Sequence, residues 1–177
     1  MSPNRVPDTV FHTRVRDDAL GGPNPYAWKR LTSQEVFGGR RIVLFTLPGA
    51  FTPACSDSYL PGYERHHDDF RDLGIDQVIC LAVNDAFVMF QWARSRNIEK
   101  VFMLPDGNAD FTRRMGMLVD RSQQGMAMRS WRYAMLVEDG AITAFFAEPG
   151  IRDSPEGVSL TVSDAETMLA HLRGEGR

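Results

Sequence analysis

Cys55 closes the segment Pro48-Gly49-Ala50-Phe51-Thr52-Pro53-Ala54-Cys55, which follows the apolar run Ile42-Val43-Leu44-Phe45-Thr46-Leu47. The run reads as a buried strand, the Pro/Gly-rich stretch as a turn, and the cysteine as standing where a helix begins. A thiol at a helix start meets unpaired backbone N–H groups and the positive end of the helix dipole, and both favour the thiolate. Free cysteine is only a few per cent ionised near neutral pH, so such a setting suits a sulfur that acts as a nucleophile. The competing reading is an inert buried thiol, and a proline-rich loop is a poor place to bury one. Thr52 occupies the position at which a C-x-x-C dithiol site carries its other cysteine. A hydroxyl can hydrogen-bond a thiolate or a bound oxygen but forms no disulfide. Thr-Pro-Ala-Cys therefore keeps a nucleophile and gives up internal dithiol exchange, which argues against a dithiol oxidoreductase or isomerase.

The segment from Pro48 to Cys55 resembles the active-site loop of the peroxiredoxins, P-x-x-x-T-x-x-C, and its form Pro-Gly-Ala-Phe-Thr-Pro-x-Cys-Ser is similar to the type-5 (atypical) subfamily, in its bacterial one-cysteine form. Val83-Asn84-Asp85-Ala86-Phe87-Val88 and Arg132-Tyr133-Ala134-Met135 follow in the family's order, and Gly21–Tyr26 resembles an insertion of some bacterial members. The resemblance implies a thiol-dependent peroxidase acting on hydrogen peroxide and alkyl hydroperoxides. In it Cys55 is the nucleophile, Thr52 bonds the thiolate and the incoming peroxide, and Pro48 shields the sulfur and fixes the loop. Arg132 lies beside the sulfur, keeps it ionised and orients the peroxide. Read from strand pattern alone, Arg132 is instead a sheet-edge or ion-paired arginine, because buried arginines are rare unless paired.

The resemblance also implies a homodimer packed near the active-site loop and recycling by an external thiol. Glutathione with glutaredoxin leads thioredoxin as donor, an order supported by the related bacterial form fused to a glutaredoxin domain. No metal, haem or flavin is required. A redox-signalling switch, in which Cys55 oxidation alters a partner contact, shares the first chemical step and is separated from a peroxidase by sustained turnover. The family's C-terminal resolving cysteine is missing, since residues 141–177 contain none. Cys80, within Val78-Ile79-Cys80-Leu81-Ala82, reads as a small core residue, and resolving Cys55 from mid-strand requires local unfolding. His66 and His67 point about 100° apart on a helix and lack metal-ligand spacing. Phe87, Phe90 and Trp92 read as core, with some placed to line the dimer contact.

The elements that carry these residues follow from periodicity. Val10–Val15 alternates weakly, as a short edge strand, and Thr32–Glu35 opens a helical turn. Arg41–Leu47, Gln77–Val83 and Val101–Leu104 are continuous apolar runs of the kind buried on both faces of a sheet. Helices are expected over Ser58–Leu73, with a kink or a ragged first turn at Pro61, over Asp85–Arg96 and over Ala109–Met115. Trp131–Val137 and Ala141–Ala147 flank Glu138-Asp139-Gly140 as a hairpin, and Ser163–Glu166 is a capping box opening a helix to about Arg173. Alternating strands and helices imply parallel crossovers, to which the hairpin adds antiparallel strands. The class is α/β with a mixed central sheet flanked by helices, and the resemblance names it thioredoxin-like.

A chain of 177 residues fits one domain, 1–177. A net charge of −3 makes no electrostatic case for nucleic acid or an anionic membrane. No apolar run nears the ~18 residues of a membrane helix, and Met1–Pro7 lacks the apolar stretch of a signal peptide. Two cysteines make no disulfide framework, so a cytoplasmic, reducing setting is expected.

Overall fold

The computed structural model describes residues 3–175. It begins with a hairpin of β1 (Val10–Arg16) and β2 (Tyr26–Thr32), then the short helix α1 (Ser33–Phe37) and the strand β3 (Arg41–Thr46). A π-helical turn, Cys55–Tyr59, leads into α2 (Leu60–Arg65) and α3 (His67–Asp72). Next come β4 (Gln77–Ala82), α4 (Ala86–Ser95), β5 (Phe102–Pro105), α5 (Asp110–Arg114), β6 (Leu118–Asp120) and β7 (Met128–Ser130). The chain finishes with β8 (Tyr133–Glu138), β9 (Ala141–Ala147) and α6 (Ala165–Leu172).

The central sheet runs β5-β4-β3-β8-β9, with β3, β4 and β5 parallel and β8 and β9 antiparallel to their neighbours. Strand parity sorts its residues into two cores. Val43, Phe45, Val78, Cys80, Ala134 and Leu136 face α2, α3, α4 and α6, while Ile42, Leu44, Ile79, Leu81, Tyr133 and Met135 face β1, α1 and α5. On the first face Phe45 stacks on Tyr63 at 3.8 Å between ring centroids, with Tyr59 and Phe70 against the same pair. Each aromatic contact of this kind is worth about 0.5–1.5 kcal/mol beyond the area it buries. The β8–β9 turn places Asp139 at φ 47° and Gly140 at φ 74°, the paired left-handed residues of a type I′ hairpin. One extra residue, Thr143, bulges from β9, because Val137 pairs Ile142 while Leu136 pairs Ala144.

Four expectations need correcting. The helix expected over residues 58–73 is broken at His66 (φ −90°, ψ 9°). Pro61 comes just after the π-helical turn Cys55–Tyr59, the irregular stretch of a helical run that begins at Pro53, in keeping with the ragged turn expected there. Ser163 does not cap α6; Asp164 does, accepting the Thr167 N–H at 2.7 Å. The strand before Glu138 begins at Tyr133, so Trp131 and Arg132 precede it. Phe87 and Phe90 are not core: they are 50% and 38% exposed, and of that trio only Trp92 is buried.

Strand β2 was not anticipated, because its residues lie mostly at the surface and show no apolar face. Its partner surface is α4. Tyr26 meets Phe90 and Trp28 meets Phe87, edge to face, at 5.1 and 5.5 Å. Arg14 donates to the Tyr26 carbonyl at 2.8 Å and lies over the Phe87 ring. Tyr26, Trp28 and Arg14 thus dock the hairpin on α4. Among the described residues no helix is long and apolar enough to cross a membrane.

Candidate active site

Antiparallel pairing of β8 with β3 sets Ala134 opposite Phe45, so the chain just before β8 lies alongside the chain leaving β3. Arg132 has the parity of Ala134 and falls on the face that carries Cys55. The helix that follows the loop starts at Pro53, and the first i→i−4 bond runs from Ser56 N to Thr52 O at 3.0 Å. Cys55 therefore sits in the first turn, where backbone N–H groups have no helical acceptor. Proline suits the leading position. Phe51 holds a left-handed φ of 64°, a costly conformation for a bulky side chain. Asn84 steadies the loop, its Oδ1 accepting the Ala50 N–H at 2.9 Å, and the neighbouring Asp85 caps α4 through the N–H groups of Phe87 and Val88. The motif Val83–Val88 thus ties the loop to α4. Trp92 adds a second tie, with its indole N–H donating to Ser56 Oγ at 2.9 Å.

Cys55 is 1% exposed, and its sulfur lies 3.3 Å from Arg132 Nη2. Arg132, 3% exposed, also donates through Nη1 to the carbonyls of Val158 and Ser159 at 2.9 and 3.1 Å. It lies over the Tyr59 ring, and no carboxylate pairs with it among the described residues. Its Nε–H is buried and has no partner among the described residues. Nε and Nη2 form one edge of the planar guanidinium, so the edge that holds the sulfur offers a second parallel donor beside it. Thr52 is half-buried, and its hydroxyl donates to the Gly49 carbonyl at 2.8 Å, with no bond to Cys55 among the described residues. With its proton so directed, the oxygen presents lone pairs as an acceptor. Pro48 is buried at the start of the loop. The structure thus brings Cys55 and Arg132 into contact and sets Thr52 one helical turn before the sulfur.

Cys80 is fully buried in β4, in the same core cluster as Cys55, and burial pushes its thiol well above the ordinary range. Both cysteines are free. His66 pairs with Asp69 and Glu166 at the α2–α3 junction, and His67 lies beside Asp68.

One group near the site escaped sequence reasoning. Glu148, directly after β9, is 2% exposed. Its Oε1 accepts from the N–H groups of Thr161, Val162 and Ser163 and from Ser163 Oγ, and its Oε2 accepts from Ser159 Oγ, Thr161 Oγ1 and, shared, Thr161 N, all at 2.8–3.1 Å. Burial pushes this carboxyl up, but the Val162, Ser163 and Thr161 donors outweigh it and bring it down to about 2. The available signal was a lone carboxylate closing an apolar strand, with Ser159, Thr161 and Ser163 spaced two apart downstream.

The redoxin family model matches residues 18–169. The chain is 55% identical over 174 residues to a peroxiredoxin of Synechocystis, covering 98% of this chain and 92% of that protein. It is 40% identical over 172 residues to the hybrid peroxiredoxin hyPrx5 of Haemophilus influenzae, covering 97% of this chain and 66% of that one. The antioxidant protein (1-Cys peroxiredoxin) of Plasmodium falciparum superposes with a TM-score of 0.90 at 31% identity, over 97% of this chain and 99% of that chain. The mixed sheet with helices on both faces is the thioredoxin-like fold. The chain belongs to the peroxiredoxins, in the type-5 branch, and is a thiol-dependent peroxidase.

Proposed function

We propose that Cys55 is the peroxidatic nucleophile and that the cycle uses this one cysteine together with an external thiol. The contact between Arg132 Nη2 and Cys55 Sγ at 3.3 Å carries the proposal. The Cys55 thiolate attacks the terminal oxygen of a hydroperoxide, an S–O bond forms and the O–O bond breaks. Sulfur is oxidised by two electrons to a sulfenic acid, and the leaving oxygen takes a proton as water or alcohol. The unpartnered Arg132 Nε–H and the N–H groups of the first helical turn donate to oxygen as charge moves onto it, and the Thr52 oxygen accepts a hydrogen bond from the peroxide O–H, whose proton stays with the oxygen transferred to sulfur. Pro48 fixes the loop that surrounds the sulfur.

Cys80 stays outside the cycle, because its thiol is sealed in β4. An external thiol condenses with the sulfenic acid, releasing water and leaving a mixed disulfide, and a second thiol frees Cys55. Glutathione with glutaredoxin is the favoured donor, ahead of thioredoxin. A tripeptide cannot reach the sulfur of a residue as buried as Cys55, so the first helical turn opens at this step. A cytoplasmic homodimer fits the exposed rings of Phe51 and Phe87 close to the loop.

Intact-protein mass after one equivalent of hydrogen peroxide, then glutathione, tests the cycle. The expected course is a gain of one oxygen and then a glutathione adduct, with both absent in Cys55→Ser. A loss of two hydrogens, or peroxide turnover in Cys55→Ser, overturns it.

A further inference from the structure

The carboxylate of Glu148 does not touch Cys55, Thr52 or the Arg132 guanidinium, yet every link between it and the sulfur is short. Its six donors all belong to Ser159, Thr161, Val162 and Ser163, in a stretch that has no helix or strand of its own. The carbonyls at the front of that stretch, Val158 and Ser159, take Arg132 Nη1. The carbonyl at its far end, Ser163, takes the hydroxyls of Tyr59 and Tyr63 at 3.1 and 2.6 Å, and Tyr59 forms the floor under the guanidinium. The main chain of Glu148 closes the circuit: its N–H donates to the Arg132 carbonyl at 3.0 Å, and its carbonyl accepts the Trp131 indole N–H at 2.8 Å.

A segment without a ladder has no internal bonds to fix its carbonyls to better than the tolerance of a hydrogen bond. Arg132 in turn has no carboxylate partner among the described residues, so its orientation is set by neutral carbonyls. We propose that Glu148 is a positioning residue for the peroxidatic centre: by holding residues 159–163 through its carboxylate it aims the Arg132 fork at Cys55. The proposal rests on the roles given above to Cys55 and Arg132. The group is ionised throughout the neutral range, so its donors always face two charged oxygens and make bonds of the stronger, charge-assisted kind.

The test compares Glu148→Gln with wild type. The amide keeps one acceptor oxygen but turns an NH2 group toward Ser159 and Thr161, loosening the end of the segment that holds Arg132. The rate constant for hydrogen peroxide is measured on folded protein, alone and in an Arg132→Met background, beside alkylation of Cys55 by iodoacetamide, a neutral reagent that needs no oriented fork. Positioning predicts a fall of roughly tenfold or more in the peroxide rate, a much smaller change in alkylation, and under about twofold further loss once Arg132 is gone, since residues acting as one unit are not additive. Glu64→Gln, which releases another main-chain clamp (the N–H groups of Glu99, Lys100 and Val101) away from the site, is expected to lower stability and leave the peroxide rate unchanged.

An unchanged peroxide rate in folded Glu148→Gln, or equal losses with and without Arg132, overturns the proposal. If Glu148→Gln does not fold, Ser159→Ala removes a single donor and carries the same test, with a loss of about threefold expected and no loss overturning it. Failure of the underlying chemistry reads differently: Cys55→Ser still consumes peroxide.

Discussion

Replacing Arg132 by methionine keeps a long, flexible side chain and removes the guanidinium. Two donors leave the reacting atoms: Nη2, which is 3.3 Å from the sulfur, and the unpartnered Nε–H on the same edge. A hydrogen bond to a charged group contributes about 1.5–3 kcal/mol, so losing two raises the barrier by about 3–6 kcal/mol and slows peroxide reduction roughly 10²- to 10⁴-fold. Arg132→Lys retains the charge but presents a point donor in place of a fork, and a loss of roughly 10- to 100-fold is expected. The methionine variant also strands the Val158 and Ser159 carbonyls that Nη1 now satisfies. Each orphaned acceptor costs about 1–3 kcal/mol, so the melting midpoint falls and rates are taken well below it. The assay is stopped-flow fluorescence. Trp92 reports on the site directly, because its indole bonds to Ser56, the residue after Cys55. A folded Arg132→Met protein that reacts with peroxide within about threefold of wild type refutes the assigned role, since a single lost charged hydrogen bond already slows the step by roughly tenfold.

Other expectations bear on neighbouring groups. Cys80→Ala is expected to retain turnover with glutathione and to melt at a lower temperature, through the small cavity left in β4; near-complete loss of turnover shows that Cys80 takes part in resolution. Thr52→Val removes the hydroxyl at nearly constant shape and is expected to slow the peroxide step by roughly 10- to 100-fold with little change in the melt; a wild-type rate removes Thr52 from the mechanism. The carboxyl of Glu148 lies at about 2 in the fold against 4.5 as an ordinary glutamate, so it stabilises fully above 4.5 and loses that contribution as the pH falls toward 2. The difference amounts to about 3 kcal/mol. Denaturant midpoints of wild type and Glu148→Gln are expected to converge across that interval, and parallel curves rule the linkage out.

What could be read from the chain tracks how local each signal is. Cys55, Thr52 and Pro48 share one turn, and the chemistry of a thiol at a helix start is visible in eight consecutive residues. The strands β3, β4 and β8 are continuous apolar runs, so the mixed sheet was legible as well. Arg132 was not, without the family resemblance: its contact with the sulfur spans 77 residues and depends on how β8 pairs with β3. Glu148 was missed for a related reason, since its donors lie 11–15 residues downstream in an irregular segment that no periodicity marks. Ser163 was mistaken for a helix cap because its hydroxyl answers to that distant carboxylate instead of to the helix. Strand β2 hid because its alternation runs against exposed rings on α4 and not against a core. The break at His66 has no proline to mark it, while Pro61 comes just after the π-helical turn Cys55–Tyr59.

The bulge at Thr143 decides which side of the sheet Glu148 serves. Beyond it, Tyr133 pairs Ala147, which puts Glu148 opposite Arg132 and on the same face. Before it, the register is one residue different, with Glu138 opposite Ala141. Were that earlier register to continue, Glu148 would oppose Trp131, and the two-residue period of a strand would turn its carboxylate away from the sulfur. Deleting Thr143 itself removes the unpaired residue and joins the two registers into one, with Glu148 still opposite Arg132. A one-residue deletion between Ala144 and Ala147, with the bulge kept, would leave Cys55, Thr52 and Arg132 in the sequence, set Glu148 opposite Tyr133 and turn its carboxylate to the other side of the sheet. Among homologous chains, a single-residue deletion in this strand is expected at the bulge and not between the bulge and Glu148.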